Sequence, residues 1–420
     1  MKKFFAILAI ALLSVGLVAC NTGGPTPGGS EGKTIHLNYS GTASDKDFNL
    51  ELFELFKEER AAAGDKNTYV IEYLEIGPDK IDSTVLDWAA PNAPDVYESA
   101  SDKIGILYGK GALARLTGSY KTWVEESNSA LGVSLSTVNG ELCAYPYTGD
   151  NTYYLQYDKS IFTEEDVKSI EGLLDKAESL GYKIGYLLQE AFWGGAAMFT
   201  FGADYNIVYD EDGNIVRTDA DFNTEKGLKA AKAIYQIMTH PAWENAAGAP
   251  AEGSAVKATI AGTWDITACK EYYGEDYGCA VMPTVTVDGE TKNLGCFLGG
   301  KFFGVNPQVS AGDTDRFVAA NELAKFLSGY TCQTKRYEEF SIYPCNLQAQ
   351  QHPDMATNPN VLVLKAQQEF AHAQAAVPSE FWTAPANLTT GIKDGTYTLD
   401  NLQEAVDAFQ LAIVGAGTAN

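Results

Sequence analysis

The sequence predicts an α/β protein of two lobes, with the chain crossing between the lobes more than once and a ligand cleft between them. Three observations support this prediction. The chain has 420 residues, which is too long for one small core and indicates two domains. Hydrophobic residues make up 45% and charged residues 20% of it, as in ordinary globular proteins. Strand-like and helix-like segments alternate in two separate sets, which is typical of parallel sheets covered by helices.

The first set begins with TIHLNYSG (34–41), which is predicted to be a strand. Apolar residues then recur at helical spacing in DKDFNLELFELFKEERAAAG, which predicts an amphipathic helix. TYVIEYLEI is predicted to be the second strand, a helix carrying Val85, Leu86 and Trp88 follows, and APDVYES is the third strand.

The second set starts near Tyr153, and it contains a helix that carries Val167 and Ile170, followed by the strand KIGYLLQ. YNIVYDEDGNIVRT predicts a hairpin with an Asp-Gly turn, and TEKGLKAAKAIYQIM predicts a long helix. Residues 279–305 are β-rich, and helices are expected in DTDRFVAANELAKFLSG, in 361–370 and in 399–413. Because ligands of open α/β sheets bind at the carboxyl ends of strands, a cleft between the lobes is the expected site.

The N-terminus has the features of an export signal. Residues 1–19 carry Lys2 and Lys3, then a short apolar run that ends in small residues, which predicts a secretory signal peptide. The sequence Leu-Val-Ala-Cys that ends at Cys20 resembles a bacterial lipobox, although a chance cysteine after an apolar run is the alternative. Residues 20–33 are then a lipid-anchored cysteine and a flexible linker, since NTGGPTPGGSEGK is rich in Gly, Pro, Thr and Ser. We expect a lipid-anchored protein on the extracellular face of the cell membrane.

The charge balance excludes some partners. The formal net charge is −25, from 55 acidic and 30 basic residues. Nucleic acid and anionic lipid surfaces both require a basic surface, so neither is expected to bind. A neutral or cationic ligand is easier to accommodate.

Cysteines and histidines do not indicate a metal or redox site. Besides Cys20, six cysteines allow fifteen pairings, and an exported location permits disulfides without requiring them. Buried, unpaired thiols are an equally good interpretation. No C-x-x-C motif occurs and the four histidines are scattered. Asp210 and Asp212 beside the hairpin turn lack the twelve-residue calcium pattern, so no metal and no cofactor are expected.

Aromatic residues recur at loop positions beside polar residues. LLQEAFWGG places Phe192 and Trp193 after a predicted strand, IAGTWDI places Trp264 after another, and EFWTA places Trp382 before the last helix. Gly262 is expected to let the chain turn so that Trp264 begins a helix. Each site alone favours core packing, whereas three together favour a stacking surface. Flat aromatic faces with nearby carboxylates and amides suit a sugar.

These stretches resemble the extracellular solute-binding proteins of ABC importers, of the oligosaccharide type that includes maltose/maltodextrin-binding proteins. The resemblance covers 34–413 and rests on an ordered set of motifs: PDVYESASDKIGILYGKGAL, NGELCAYPYTGDNTYYLQYDKSIF, LLQEAFWGG, AGTWDI, VMPT and EFWTA. It implies a two-lobed periplasmic-binding-protein-like α/β fold with an interlobe ligand cleft. Residues 34–149 and 284–355 would form the N-terminal lobe, and residues 150–283 and 356–420 would form the C-terminal lobe.

The resemblance also implies sugar-binding residues. Asp45 and Lys46 match an Asp-Lys loop, Asp102 matches a hydroxyl-binding aspartate, and Asp150 replaces a glutamate in a crossover strand. The other implied positions are sugar-binding Glu190, stacking Phe192 with Trp193 packing behind it, and the stacking tryptophans Trp264 and Trp382.

Three departures from the family pattern put maltose itself in question. Ser99 replaces a stacking tryptophan, Lys103 replaces an arginine, and Ala386 stands where another arginine is expected. The neighbouring Tyr153 and Tyr154 offer a compensation, although tyrosines in strands are commonly structural.

The predicted function is a monomeric receptor that closes around an oligosaccharide and delivers it to a membrane permease. No enzymatic activity is expected. One alternative is a surface glycoside hydrolase in which Asp150 and Glu190 supply the two carboxylates. Another is a binding lipoprotein for a peptide or other solute.

Overall fold

The computed structural model describes residues 32–210, 215–374 and 377–415. The predicted signal peptide, Cys20 and most of the predicted linker lie outside the described residues. The strands, in chain order, are β1 Thr34–Gly41, β2 Thr68–Glu75, β3 Val96–Ala100, β4 Thr137–Val138, β5 Glu141–Leu142, β6 Tyr145–Asp158, β7 Lys183–Gly185, β8 Tyr205–Tyr209, β9 Ile215–Ala220, β10 Trp243–Glu244, β11 Val256–Gly262, β12 Tyr277–Ala280, β13 Thr284–Val287, β14 Glu290–Asn293, β15 Phe297–Val305 and β16 His372–Ala373.

The α-helices, in chain order, are α1 Lys46–Ala62, α2 Ile81–Thr84, α3 Ile104–Gly109, α4 Gly118–Ser127, α5 Ala130–Leu135, α6 Ile170–Leu180, α7 Glu225–Met238, α8 Ile266–Tyr273, α9 Thr314–Leu327, α10 Tyr330–Phe340, α11 Pro359–Gln367, α12 Ala384–Lys393 and α13 Leu402–Gly415. Among the described residues, no helix combines the length and the apolarity that a membrane crossing requires.

The main sheet is mixed and continuous through both halves of the molecule. Its strand order is β10-β7-β11-β6-β15-β3-β1-β2, with β12 attached to β6 and β16 attached to β15. β1 pairs in parallel with β2 and β3, and β7 pairs in parallel with β10 and β11, as the alternation of strands and helices predicts. β6 and β15 pair antiparallel with their neighbours in the middle of the sheet. The parallel prediction therefore holds at the two ends of the sheet and not at its centre.

Strand β6 connects the two halves. Its residues 145–152 pair with β15, whereas its residues 153–157 pair with β11. Since one 14-residue strand belongs to both parts of the sheet, the backbone crosses from one lobe to the other without a loop.

Two large hydrophobic cores lie on either side of this crossing. The first contains Leu37, Phe53 and Phe303, and the second contains Leu173 and Ile260. The hairpin β13–β14 packs on the second core through the inward-facing Val285 and Val287, because side chains alternate across a strand. The predicted lobe boundary between residues 283 and 284 would therefore place this hairpin in the N-terminal lobe, whereas the hairpin packs on the core of the other lobe.

Most predicted elements occur near their predicted positions, but one predicted helix is wrong and one predicted strand is shorter than expected. The predicted helix around Val85 and Trp88 is wrong: α2 ends at Thr84 and Val85 has an extended ψ of 100°. Trp88 is buried as a core residue, whereas Leu86 is 88% exposed. The strand predicted for KIGYLLQ ends at Gly185 because the chain then leaves the sheet.

Candidate ligand-binding cleft

A cavity of about 590 Å³ lies where several strands end, and we call it the main cavity. Thr42 follows β1, Asp102 follows β3 and Trp264 follows β11, all at carboxyl ends. Asn151 of β6 and Lys301 of β15 line it from the two neighbouring strands in the middle of the sheet. The main cavity is in the size range of small-molecule sites and occupies the place that α/β sheets favour for ligands.

Three aromatic side chains line the main cavity. Phe192, Trp264 and Trp382 come from three different loops, as the sequence predicts for a stacking surface. The ring centroids of Phe192 and Trp264 are 6.0 Å apart, and both rings are tilted by 41° relative to each other. Trp264 is 54% exposed, so much of its indole is available for contact with a ligand.

The segment that carries Phe192 forms a π-helical turn, Ala191–Gly195, which directs Phe192 toward the cavity. Trp193 does not line the main cavity; its ring stacks on Tyr153 at 5.6 Å and 25°. The hydroxyl of Tyr153 donates a hydrogen bond to the carbonyl oxygen of Phe192 at 3.0 Å. Gly194 is required here, since a Cβ at this position would lie 2.0 Å from the carbonyl oxygen of Leu188.

Gly262 supports Trp264 for a reason other than the expected turn. Its backbone angles, φ −66° and ψ 157°, are accessible to any residue. However, a Cβ on Gly262 would lie 2.2 Å from Cε2 of Trp264, so the indole packs directly over the glycine backbone. The backbone N–H of Gly262 donates to Oδ2 of Asp265 at 3.1 Å, which helps to hold the start of the turn.

The polar wall of the main cavity includes a buried aspartate and an amide pair. Asp102 is 7% exposed, and burial raises the pKa of its carboxyl although Lys103 Nζ lies 3.7 Å from its Oδ2. Asn151 Nδ2 donates to Oε1 of the buried Gln374 at 2.7 Å. The carbonyl oxygen of Gln374 in turn accepts from the Ser101 hydroxyl at 2.6 Å. These groups offer both donors and acceptors to a ligand.

A second cavity of about 460 Å³, the side cavity, adjoins the main cavity. The two share Thr42, Asn151, Trp264 and Lys301 as lining residues. Asp45 and Asp150, both expected in the site, line the side cavity and not the main one.

Asp150 is held firmly on its strand. Its carboxylate accepts a hydrogen bond from the backbone N–H of Tyr343 at 2.6 Å, and its carbonyl oxygen accepts from the Thr263 hydroxyl at 2.7 Å. Burial raises the pKa of the Asp150 carboxyl, and the bond from Tyr343 and the charge of Lys301 oppose this shift. Asp150 therefore links β6, the start of the Trp264 turn and the segment after α10.

Two expected site residues line neither cavity. Lys46 forms an ion pair with Glu75 at 2.7 Å, with its ammonium 5.9 Å from the ring centroid of Tyr73. Glu190 is exposed and precedes the π-helical turn. Because Asp150 lines the side cavity and Glu190 does not, these two carboxylates are not brought together in one cavity.

Several lining residues escape the sequence-based prediction. Asn151, Gln374 and Lys301 all line the main cavity, and none of them is in the predicted set. The sequence does indicate that Lys301 is unusual, because it is the charged residue within the otherwise apolar and glycine-containing strand FLGGKFFGV. A lysine in such a buried strand requires a polar surrounding.

Comparison with known proteins identifies the family. Residues 53–363 match the sequence profile described as bacterial extracellular solute-binding protein. The chain belongs to this family.

A curated relative and two solved structures are similar over nearly the whole length. The maltodextrin-binding protein MdxE of Bacillus subtilis (strain 168) is 25% identical over 414 residues, which cover 92% of each chain. Maltodextrin binding protein MalE1 from L. casei BL23, solved without ligand, has a TM-score of 0.76 at 20% identity and covers 93% of this chain and 100% of that one. A cyclo/maltodextrin-binding protein complexed with maltotetraose has a TM-score of 0.69 at 18% identity and covers 91% and 98%. The predicted two-lobed α/β fold and the predicted resemblance are confirmed.

Extracellular solute-binding proteins bind a solute, and the cleft of this family member offers aromatic faces and hydrogen-bonding groups to one. One further cluster in the described residues, Asp175, Glu178 and His240, brings three possible metal-ligand atoms close together, and none of the three residues lines the main or the side cavity. His240 Nδ1 accepts the backbone N–H of Ala242 at 3.1 Å, so its proton is on Nε2, 3.3 Å from Asp175. In that tautomer Nε2 donates to the Asp175 carboxylate, and a metal ion would bind Nε2 only by displacing its proton.

The six cysteines within the described residues are free thiols, and all except Cys279 are buried. Burial raises the pKa of each of these thiols. Of the two interpretations left open by the sequence, the structure supports that of small buried side chains.

Proposed function

We propose that this family member is the substrate-binding lipoprotein of an ABC importer, which captures a maltodextrin-like oligosaccharide and delivers it to a membrane permease. The observation that carries the proposal is the main cavity, where Phe192, Trp264 and Trp382 surround groups that donate and accept hydrogen bonds. The names of the relatives, which are maltodextrin-binding proteins, support the same ligand class.

The binding mode follows from the chemistry of the lining. The aromatic faces receive the C–H faces of the sugar rings, while Asp102 accepts from hydroxyls and Asn151 and Lys301 provide polar contacts. Closure of the two lobes around the β6 crossing would then bring Lys46 and Glu190 toward the ligand. The ligand stabilises the closed form because it contacts both lobes.

We also propose how the chain is divided and anchored. The lobes comprise residues 34–149 with 284–355 and residues 150–283 with 356–420, except that hairpin β13–β14 belongs with the second lobe on which it packs. Residues 1–19 are removed, and the lipid on Cys20 holds a monomeric receptor at the extracellular face of the membrane.

Calorimetric titration tests the function. The chain from Asn21 onward is titrated with maltose, maltotriose, longer maltodextrins and β-linked oligosaccharides, and the solution is then examined for cleavage products. Saturable binding of the α-linked series without product formation is the expected result. Binding of peptides alone, or release of shorter sugars, would contradict the proposal.

A further inference from the structure

Tyr153 is the residue of β6 at which the strand passes from one half of the sheet to the other. Residues 145–152 pair with β15, and Tyr153 is the first of the residues that pair with β11. Its side chain is 0% exposed and lines neither the main nor the side cavity. Any effect of Tyr153 on a ligand must therefore pass through the residues that Tyr153 contacts.

The side chain of Tyr153 contacts the π-helical turn in three ways. Its hydroxyl donates to the carbonyl oxygen of Phe192 at 3.0 Å. Its ring lies nearly parallel to that of Trp193, at 5.6 Å and 25°, and meets the ring of Phe192 edge-on, at 5.1 Å and 75°. One side chain therefore holds both the backbone and the two aromatic rings of this turn.

The backbone of Tyr153 supports a second aromatic residue of the main cavity. Tyr153 pairs with Gly262 of β11, and the indole of Trp264 packs directly over the Gly262 backbone. The carbonyl oxygen of Tyr153 accepts a hydrogen bond from Nε2 of the buried Gln367 at 2.7 Å, which ties this point of β6 to α11. Phe192 and Trp264 are thus both supported from the same buried residue.

The turn that carries Phe192 needs support from a more rigid element. It contains Gly194 and Gly195, and a Cβ on Gly195 would lie 2.7 Å from the ring of Phe381, so both glycines are required by close packing. Glycine backbones have the most conformational freedom to lose on ordering. β6 lies in the middle of the sheet and pairs with strands on both sides. A hydrogen bond from β6 to the turn therefore restricts the orientation of the Phe192 ring.

We propose that Tyr153 is a positioning residue for sugar binding, whose hydroxyl holds the π-helical turn so that Phe192 meets the ligand in one orientation. The inference rests on the proposed function and adds a residue that acts on the ligand only through Phe192. A ring that is already ordered binds more tightly, because its ordering does not have to accompany ligand binding.

Calorimetric titration with maltotriose compares the wild type with Tyr153→Phe, which keeps the ring and removes only the hydroxyl. Tyr153→Phe should bind roughly 3- to 10-fold more weakly, as for one lost hydrogen bond. Tyr154→Phe is the matched control, because Tyr154 is equally buried, lines neither cavity and donates its hydroxyl to Oδ1 of Asn360 at 2.9 Å. Tyr154→Phe should lose a similar amount of stability in urea unfolding and keep the wild-type affinity.

A double-mutant cycle shows whether Tyr153 acts through Phe192. In the Phe192→Ala background, Tyr153→Phe should change the affinity by less than about twofold, because no ring remains to be positioned. Amide hydrogen exchange of residues 187–200 without ligand gives a reading that does not depend on the sugar. Tyr153→Phe should speed up exchange in this segment, and Tyr154→Phe should not.

The outcomes separate the two proposals. If Tyr153→Phe binds as the wild type does, or weakens binding equally with and without the Phe192 ring, the positioning role is overturned and the receptor function stands. If no oligosaccharide binds to the wild type, the proposed function fails and the role of Tyr153 in sugar binding fails with it. Unchanged exchange of residues 187–200 in Tyr153→Phe would overturn the positioning role whichever sugar binds.

Discussion

Trp264→Ala should weaken oligosaccharide binding about tenfold with little effect on folding. The indole is 54% exposed and lines both cavities, so its free surface is where a sugar would stack. A fully covered aromatic side chain buries roughly 200 Å², which leaves about 110 Å² of this indole open. A sugar ring on one face covers about half of that, and about 25 cal/mol per Å² then gives about 1.4 kcal/mol, or tenfold in Kd.

The assay is calorimetric titration with maltotriose, with thermal unfolding of each variant measured in parallel. Trp123→Ala is the matched control, because Trp123 is half-buried and lines neither the main nor the side cavity. A correctly folded Trp264→Ala protein with wild-type affinity would refute the assignment of Trp264. An equal loss in Trp123→Ala would show that the effect comes from the fold and not from stacking.

Three further predictions concern Asp150, Arg336 and Cys279. Burial raises the pKa of Asp150, so the folded state binds this carboxyl proton more tightly than the unfolded state does. The wild type should therefore gain stability relative to Asp150→Asn as the pH falls from the raised pKa to about pH 4. Urea unfolding of both proteins between about pH 7 and pH 4 checks this prediction, and a stability difference that does not change with pH contradicts it. Arg336→Met leaves the buried Glu98 without its guanidinium and should cost about 3–5 kcal/mol in denaturant unfolding, part of which Arg336→Met with Glu98→Gln should restore. Burial raises the pKa of Cys279 to about 11, but Cys279 is the least buried of the six thiols. A thiol reagent at about pH 8 should therefore label Cys279 first and the other five cysteines only when the protein unfolds. Mass spectrometry of the digested protein would detect this order of labelling.

Local patterns predicted most of the regular elements. The first strand was expected at 34–41 and β1 has those bounds, while α1, α7 and α9 lie within their predicted segments. These elements follow from apolar spacing within one segment, which needs no knowledge of the partner. The helix expected around Val85 and Trp88 did not form, and Trp88 instead packs on Tyr97 in a buried cluster that also contains Phe302 of β15, which is remote in the chain.

The site could be predicted only in part. Residue types and loop positions indicated the aromatic wall of Phe192, Trp264 and Trp382, and the resemblance added Asp102. Whether a side chain faces the cleft depends on strand register and on packing between distant segments. For this reason Glu190 and Lys46, which stand in plausible positions, line neither cavity, and α10, which the sequence did not reveal, contributes to the side cavity.

By itself the sequence determined the α/β class, the acidic surface and the presence of aromatic stacking groups, because composition and short-range periodicity encode these properties. The tertiary structure decided that β6 runs through both lobes, that Lys301 lines both cavities, and that Phe340 and Ser341 at the end of α10 line the side cavity. These features arise from contacts between residues far apart in the chain, and no local pattern specifies which of many possible pairings has the lowest free energy.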